Sequence, residues 1–391
     1  MLAPLLLAAL TASPADLPAE RPVGSPELVA TFDGPMPTGV SVHPSGRIFV
    51  NFPRWGDDPP ATLAELKDGT AVPYPSAAMQ QFDGMGDSDR LISVQSVVVG
   101  PAGRIWALDT GRVEFQPAQP GGPKLIAFDP DSGEAVKKIV FPADVALPTT
   151  YLNDMRFDLT RGEAGAAYIT DSAPHGGIIV VDLASGDSWR RLHETKPVRP
   201  EPNFLPIVEG RPLLQRPEDG QPQPLDTGSD GIALTINRPE GGLSALAPEP
   251  MLYFRALAGR RLYSLPTRIL DDRNATDEET LRSVTDHGDL GFASDGLESD
   301  TEDTLYLTNY EDNAIVARRA DGTLETILHD PRLLWPDTLS LGADKFLYVT
   351  ANQLHRQAKF HGGEDLRETP YALFRVKVNA TPVRLKWTPL E

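Results

Sequence analysis

Six times along the chain, a small or polar pair opens a short apolar run. A Pro/Asp/Gly turn follows, and a second apolar run closes on Asp, Asn or another small polar residue. The first copy reads Thr38-Gly39-Val40, a turn at His43-Pro44-Ser45-Gly46-Arg47, then Ile48-Phe49-Val50-Asn51. The second opens at Gln95-Ser96-Val97 and returns through 105–109. The other four open at Asn153, Asp230, Asp295 and Asp337 and return through 167–171, 251–254, 305–309 and 346–352. Short apolar runs bounded in this way read as β-strands, because Asp and Gly accept the dihedrals of tight hairpin turns. Further strands follow several pairs, at 124–129, 177–182 and 314–318, each before its own turn. Segment 372–378 is a last strong strand, suited to close a ring with material from 26–33. Short helical pieces are expected only at 61–67 and 277–283.

A unit repeated six times without helical spacers, near the roughly 40–50 residues of a blade plus loops, predicts an all-β fold. The expected architecture is a six-bladed β-propeller of four-stranded antiparallel blades. Two stacked β-sandwiches are the competing architecture, but they require a linker. The one Pro-rich stretch, 196–224, lies between two copies of the same unit and reads as an insertion. The 38 Pro and 33 Gly in 391 residues fit a turn-rich chain. With 36 Lys+Arg against 55 Asp+Glu, the net charge of −19 repels phosphate backbones and argues against nucleic acid as a partner. The lack of cysteine excludes disulfides, thiolate metal sites and a thiol nucleophile. Residues 1–12 are apolar but too short to cross a bilayer, and with Ser13-Pro14-Ala15 they form a secretory-signal pattern over 1–15. The expected mature protein is a single propeller over 16–391, secreted or periplasmic, free of the membrane and monomeric.

In a propeller the opening positions of the innermost strands surround the central channel, and ligands bind at its mouth. Here those positions are Thr38, Gln95, Asn153, Asp230, Asp295 and Asp337. Carboxylates converging on one axis raise each other's pKa or demand a cation, so Asn153, Asp230, Asp295 and Asp337 are candidate ligands for Ca²⁺ or Mg²⁺. The bland alternative is that each Asp or Asn caps a turn through its backbone. The closing positions Asp109, Asp171, Asn309 and Asn352 are expected on the same face. Arg54 and Trp55 follow the first return strand and overhang it, with Trp55 as a stacking platform. His175, four residues after Asp171, is the candidate general base, and His355 is a weaker one. No zinc-type His pair, nucleophile elbow or phosphate loop is present, and no organic cofactor is implied.

Across most of its length, and in order, the chain resembles the royal jelly protein/yellow family. The matching residues include Asn51-Phe52-Pro53-Arg54-Trp55, Ser93-Val94-Gln95-Ser96-Val97, Tyr151-Leu152-Asn153-Asp154, Asp230-Gly231-Ile232-Ala233-Leu234 and Trp335-Pro336-Asp337-Thr338-Leu339. The resemblance implies a secreted six-bladed propeller. Some insect members are linked to pigment formation, including conversion of dopachrome, and some bind small amines. Ser88 stands where a Cys is usual in the insect pattern, so the chain looks like a bacterial, dopachrome-tautomerase-related member. The axial Asn and Asp residues also resemble the metal ligands of gluconolactonase-like propellers, although Thr38 stands where those supply a Glu. The expected function is binding of a small molecule at the channel mouth, with a divalent cation as a candidate partner. The alternative is a metal-dependent lactone hydrolase or dopachrome-type tautomerase using the same site.

Overall fold

The apolar runs pair as antiparallel ladders into six four-stranded sheets, in the computed structural model that describes residues 21–84, 89–218, 220–237 and 249–384. The signal pattern at 1–15 and Ser88 lie outside the described residues. Blade 1 runs from Gly39–Val42 at the axis through Ile48–Asn51 and Leu63–Lys67 to Thr70–Pro73. Blades 2, 3, 4 and 5 begin at the axis with Val94–Val99, Leu152–Asp158, Ser229–Thr235 and Leu297–Ser299. Blade 6 begins with Pro336–Leu341 and continues through Phe346–Ala351 and Tyr371–Lys377. Its outermost strand is Glu27–Phe32, so the N-terminal segment closes the ring against the last strand, as the sequence leads one to expect. Inner strands of successive blades touch all the way round, the sixth meeting the first.

The energetic basis is face-to-face packing of neighbouring sheets. Alternate residues of each strand enter one of two flanking interblade cores. Trp106, Leu108, Ile169 and Ile179 share the core between blades 2 and 3. Tyr168, Val180, Ile232 and Phe254 share the next one, between blades 3 and 4. A further apolar cluster lies over the channel mouth. There Phe204, Val208 and Leu213 of the Pro-rich insertion pack on Tyr310, Trp335, Leu354 and Phe360. The insertion is therefore a cover fixed to one face of the ring rather than a linker.

Of the two expected helices, the one at 277–283 forms as Asp277–Arg282, started by a capping box between Thr276 and Glu279. The one at 61–67 does not. Leu63–Lys67 is instead the third strand of blade 1, paired with Ile48–Asn51, because the ladder and the core outweigh the weak helical preference of Leu-Ala-Glu-Leu-Lys.

Candidate functional site

Four of the six ring positions lie at irregularities in the ladder. Register shifts between the two inner strands occur across Gln95, across Asn153, across Asp230 and across Asp337. Such a bulge frees a residue from its pairing and re-aims its side chain. The glycines that follow have a separate cause. A Cβ at Gly231 would lie 2.2 Å from the Asp295 carbonyl oxygen, and one at Gly296 would lie 2.3 Å from that of Asp337. Each Asp-Gly pair thus lets the next blade press close to the axis while the carboxyl points inward.

A cavity of about 370 Å³ opens at this end of the channel. Gln95, Asn153, Asp230, Asp295 and Asp337 line it, together with Trp55, Phe115, Tyr151, Lys359 and Phe360. The aromatic rings form one wall. Trp55 and Phe115 stack at 5.5 Å, and Phe115 and Tyr151 approach to 5.5 Å. A line of hydrogen bonds runs from this wall to the axis. The Trp55 indole donates to the Tyr151 hydroxyl, which donates to Gln95 Oε1 at 3.0 Å. Gln95 Nε2 donates to Asn153 Oδ1 at 3.1 Å, and Asn153 Nδ2 donates to Asp230 Oδ1.

Burial favours the protonated forms of the axial carboxyls. Burial, reinforced by the charges of Asp295 and Asp337, holds Asp230 well above the usual carboxylate range. Burial and the charge of Asp295 do the same to Asp337, against donation from Asn352. Burial lifts Asp295 only to about 6, because the Trp335 indole donates to it at 2.7 Å and Asp230 shares a proton with it. Asp295 is thus the most acidic of the three, beside two carboxyls whose protonated forms burial favours more strongly.

These donors are oxygens, as a hard cation requires, but their arrangement does not suit one. Among the described residues, no three His, Cys, Asp or Glu side chains converge closely enough to hold a metal ion. Asn153 turns its NH₂ towards Asp230, and its oxygen is occupied by Gln95. Thr38 is not part of the cavity lining; its hydroxyl accepts from Asn51 at 2.8 Å. Amide and indole N–H groups are among the partners these carboxyls have within the described residues.

The structure separates the remaining expected residues from the cavity. Asp171 binds Arg190 at 2.7 Å and accepts from Thr150 Oγ1 and two backbone N–H groups, so its oxygens are occupied. Asp109 pairs with Lys124 at 2.9 Å, both fully buried. Asn309 accepts from the backbone of Glu311 and Asp312, and Asn352 from that of Leu354, so both cap loops. Asn352 reaches the site only through Asp337. Arg54 donates to the Ile92 carbonyl and pairs with Asp58. His175 stands 3.3 Å from Glu194 and does not line the cavity, whereas its neighbours Ala173 and Pro174 do. His355 lies beneath, stacked on Trp335 and bound to Glu209 at 2.8 Å. Sequence reasoning misses Phe115, Lys359 and Phe360, which come from loops without repeat pattern. Tyr151 carries a signal, since it lies two residues before a ring position and within a matching motif.

Comparison with known proteins agrees with this architecture. The family model described as Major royal jelly protein matches residues 92–381. Yellow-related salivary protein ASP4 of Phlebotomus orientalis is 30% identical over 241 residues, 59% of this chain and 55% of that protein. Protein yellow of Drosophila guanche is 27% identical over 359 residues, 86% of this chain and 58% of that protein. The chain thus spans less than two thirds of the length of these relatives. Among solved structures, a calcium-binding protein, regucalcin, from Agrobacterium tumefaciens superposes with a TM-score of 0.53 at 14% identity, covering 93% of this chain and 97% of that one. At that identity the likeness is one of fold.

Proposed function

Given that the chain belongs to the major royal jelly protein family, we propose that it binds a small aromatic molecule at the mouth of the propeller channel. The ligand's ring lies against Trp55, Phe115 and Tyr151. Its hydrogen-bond-donating end, an ammonium or a phenol, meets the Asp295 carboxylate at the axis. One observation carries this reading: an aromatic wall and an acidic floor, joined by a continuous line of hydrogen bonds, enclose one cavity. Aromatic faces favour both stacked rings and cations, and a buried carboxylate without a cationic partner is poised to gain one. The protein acts as an exported monomer in this reading. No helix among the described residues is long and apolar enough to cross a membrane.

Tyramine, which has both a phenol and an ammonium, is the probe. Calorimetric titration is expected to give one site in the wild type. Trp55→Ala and Asp295→Asn are each expected to weaken it by roughly tenfold or more, the loss of about 1.4 kcal/mol that one good contact supplies. Wild-type affinity in both variants would contradict the proposal.

A further inference from the structure

Among the described residues, two cationic side chains line the cavity, Arg112 and Lys359. Arg112 is committed to the loops: it donates to the carbonyls of Thr150, Gln116 and Pro148. Lys359 is placed differently. Its ammonium makes no hydrogen bond or ion pair among the described residues, and it lies 5.8, 5.2 and 5.1 Å from the ring centres of Trp55, Phe115 and Phe360. The residue is exposed at the mouth, yet its amine faces the aromatic wall. Its backbone is fixed, because the Arg216 N–H of the insertion donates to the Lys359 carbonyl at 2.7 Å. Desolvation among these rings, partly offset by the charge of Asp226, pulls its pKa down to about 8.

We propose that Lys359 is a covalent capture site for small aromatic aldehydes, which the cavity holds as an imine. This rests on the aromatic-ligand reading above and narrows its ligand class. The rings that crowd the amine are the surface on which an aromatic aldehyde stacks, so one feature both holds the ring and brings the carbonyl to the nitrogen. The neutral amine's lone pair forms the C–N bond as the carbonyl π bond breaks, and a proton passes from nitrogen to oxygen. The resulting carbinolamine loses water to give the C=N bond. Amine and aldehyde thus become imine and water, without an oxidant or reductant.

The test treats the full chain with 4-hydroxybenzaldehyde and cyanoborohydride, which reduces the imine to a stable secondary amine, and maps the peptides by mass. Wild type, Lys359→Arg and Lys359→Met are compared. Binding of 4-hydroxybenzyl alcohol, which cannot form an imine, is titrated in parallel. The expected result is an adduct on Lys359, a gain of the aldehyde's mass less one oxygen atom. It forms at least about tenfold faster than on any other lysine, because the rings beside this amine hold the aldehyde against it. Both variants lose it, and the alcohol titration of the wild type reports the aromatic site. Adducts spread evenly over the lysines, or an unmodified Lys359 in a protein that binds the alcohol, would overturn the imine and leave the aromatic site standing. Failure to bind the alcohol at all, with no adduct, would overturn both.

Discussion

Asp230, Asp295 and Asp337 lie at the axis with amide and indole donors beside them and, among the described residues, no hydrogen-bonded Lys or Arg. Burial favours their protonated forms, which makes the site sensitive to pH. Asp295 is raised from 3.8 to about 6 by burial. A raised acid binds its proton more tightly in the folded state, so its contribution to stability is complete below the unfolded pKa and lost as pH rises through about 6. Wild type is therefore expected to lose stability between pH 4 and pH 7 relative to Asp295→Asn, by on the order of 2 kcal/mol. Denaturant titrations of both proteins at the two pH values check this; parallel profiles would contradict it. The same residues show what the sequence can reveal. Asn153, Asp230, Asp295 and Asp337 are legible because a strand opening in a propeller has a fixed address at the axis. Asp171, Asn309 and Asn352 look equally polar, but closing positions satisfy unpaired backbone N–H groups of the next loop. Nothing in one sequence separates those two uses of the same side chain.

At the scale of strands and turns, the bulges and the glycines divide the labour. At Asp230 a bulge aims the carboxyl and Gly231 admits the neighbouring blade, as Gly296 does beside Asp295. Gly296→Ala would set a Cβ 2.3 Å from the Asp337 carbonyl oxygen and 3.0 Å from the Thr338 Cα, both backbone atoms that cannot rotate away. It is expected to destabilise the protein by about 2–4 kcal/mol, as overpacking against a rigid backbone does. It should also weaken tyramine binding, because Asp295 and Asp337 flank the displaced segment. Chemical denaturation and calorimetry read the two effects; a fully stable Gly296→Ala variant would contradict the close packing. Strand patterns were legible wherever apolar runs met Asp/Gly turns. The segment Leu63–Lys67 was not, since its Leu-Ala-Glu-Leu-Lys spacing serves helix and strand alike and only its pairing with Ile48–Asn51 decides.

At the scale of the molecule, the repeat count determines the number of blades, and the outer strand Glu27–Phe32 fastens first to last. The cover over the channel mouth was the least legible part. Phe204, Val208 and Leu213 lie in a Pro-rich stretch without periodicity, and Phe115 and Lys359 reach the cavity from loops far apart in the chain. Their meeting is a consequence of ring closure, which no local pattern records. This assembled mouth, rather than any single blade, is the proposed binding site. The most direct test is a crystal structure of the protein with tyramine. The ring of the ligand is expected against Trp55, Phe115 and Tyr151, with its donor end at Asp295. Ligand bound elsewhere, such as the outer groove beside Arg211 and Arg367, with the axial cavity empty, would contradict it.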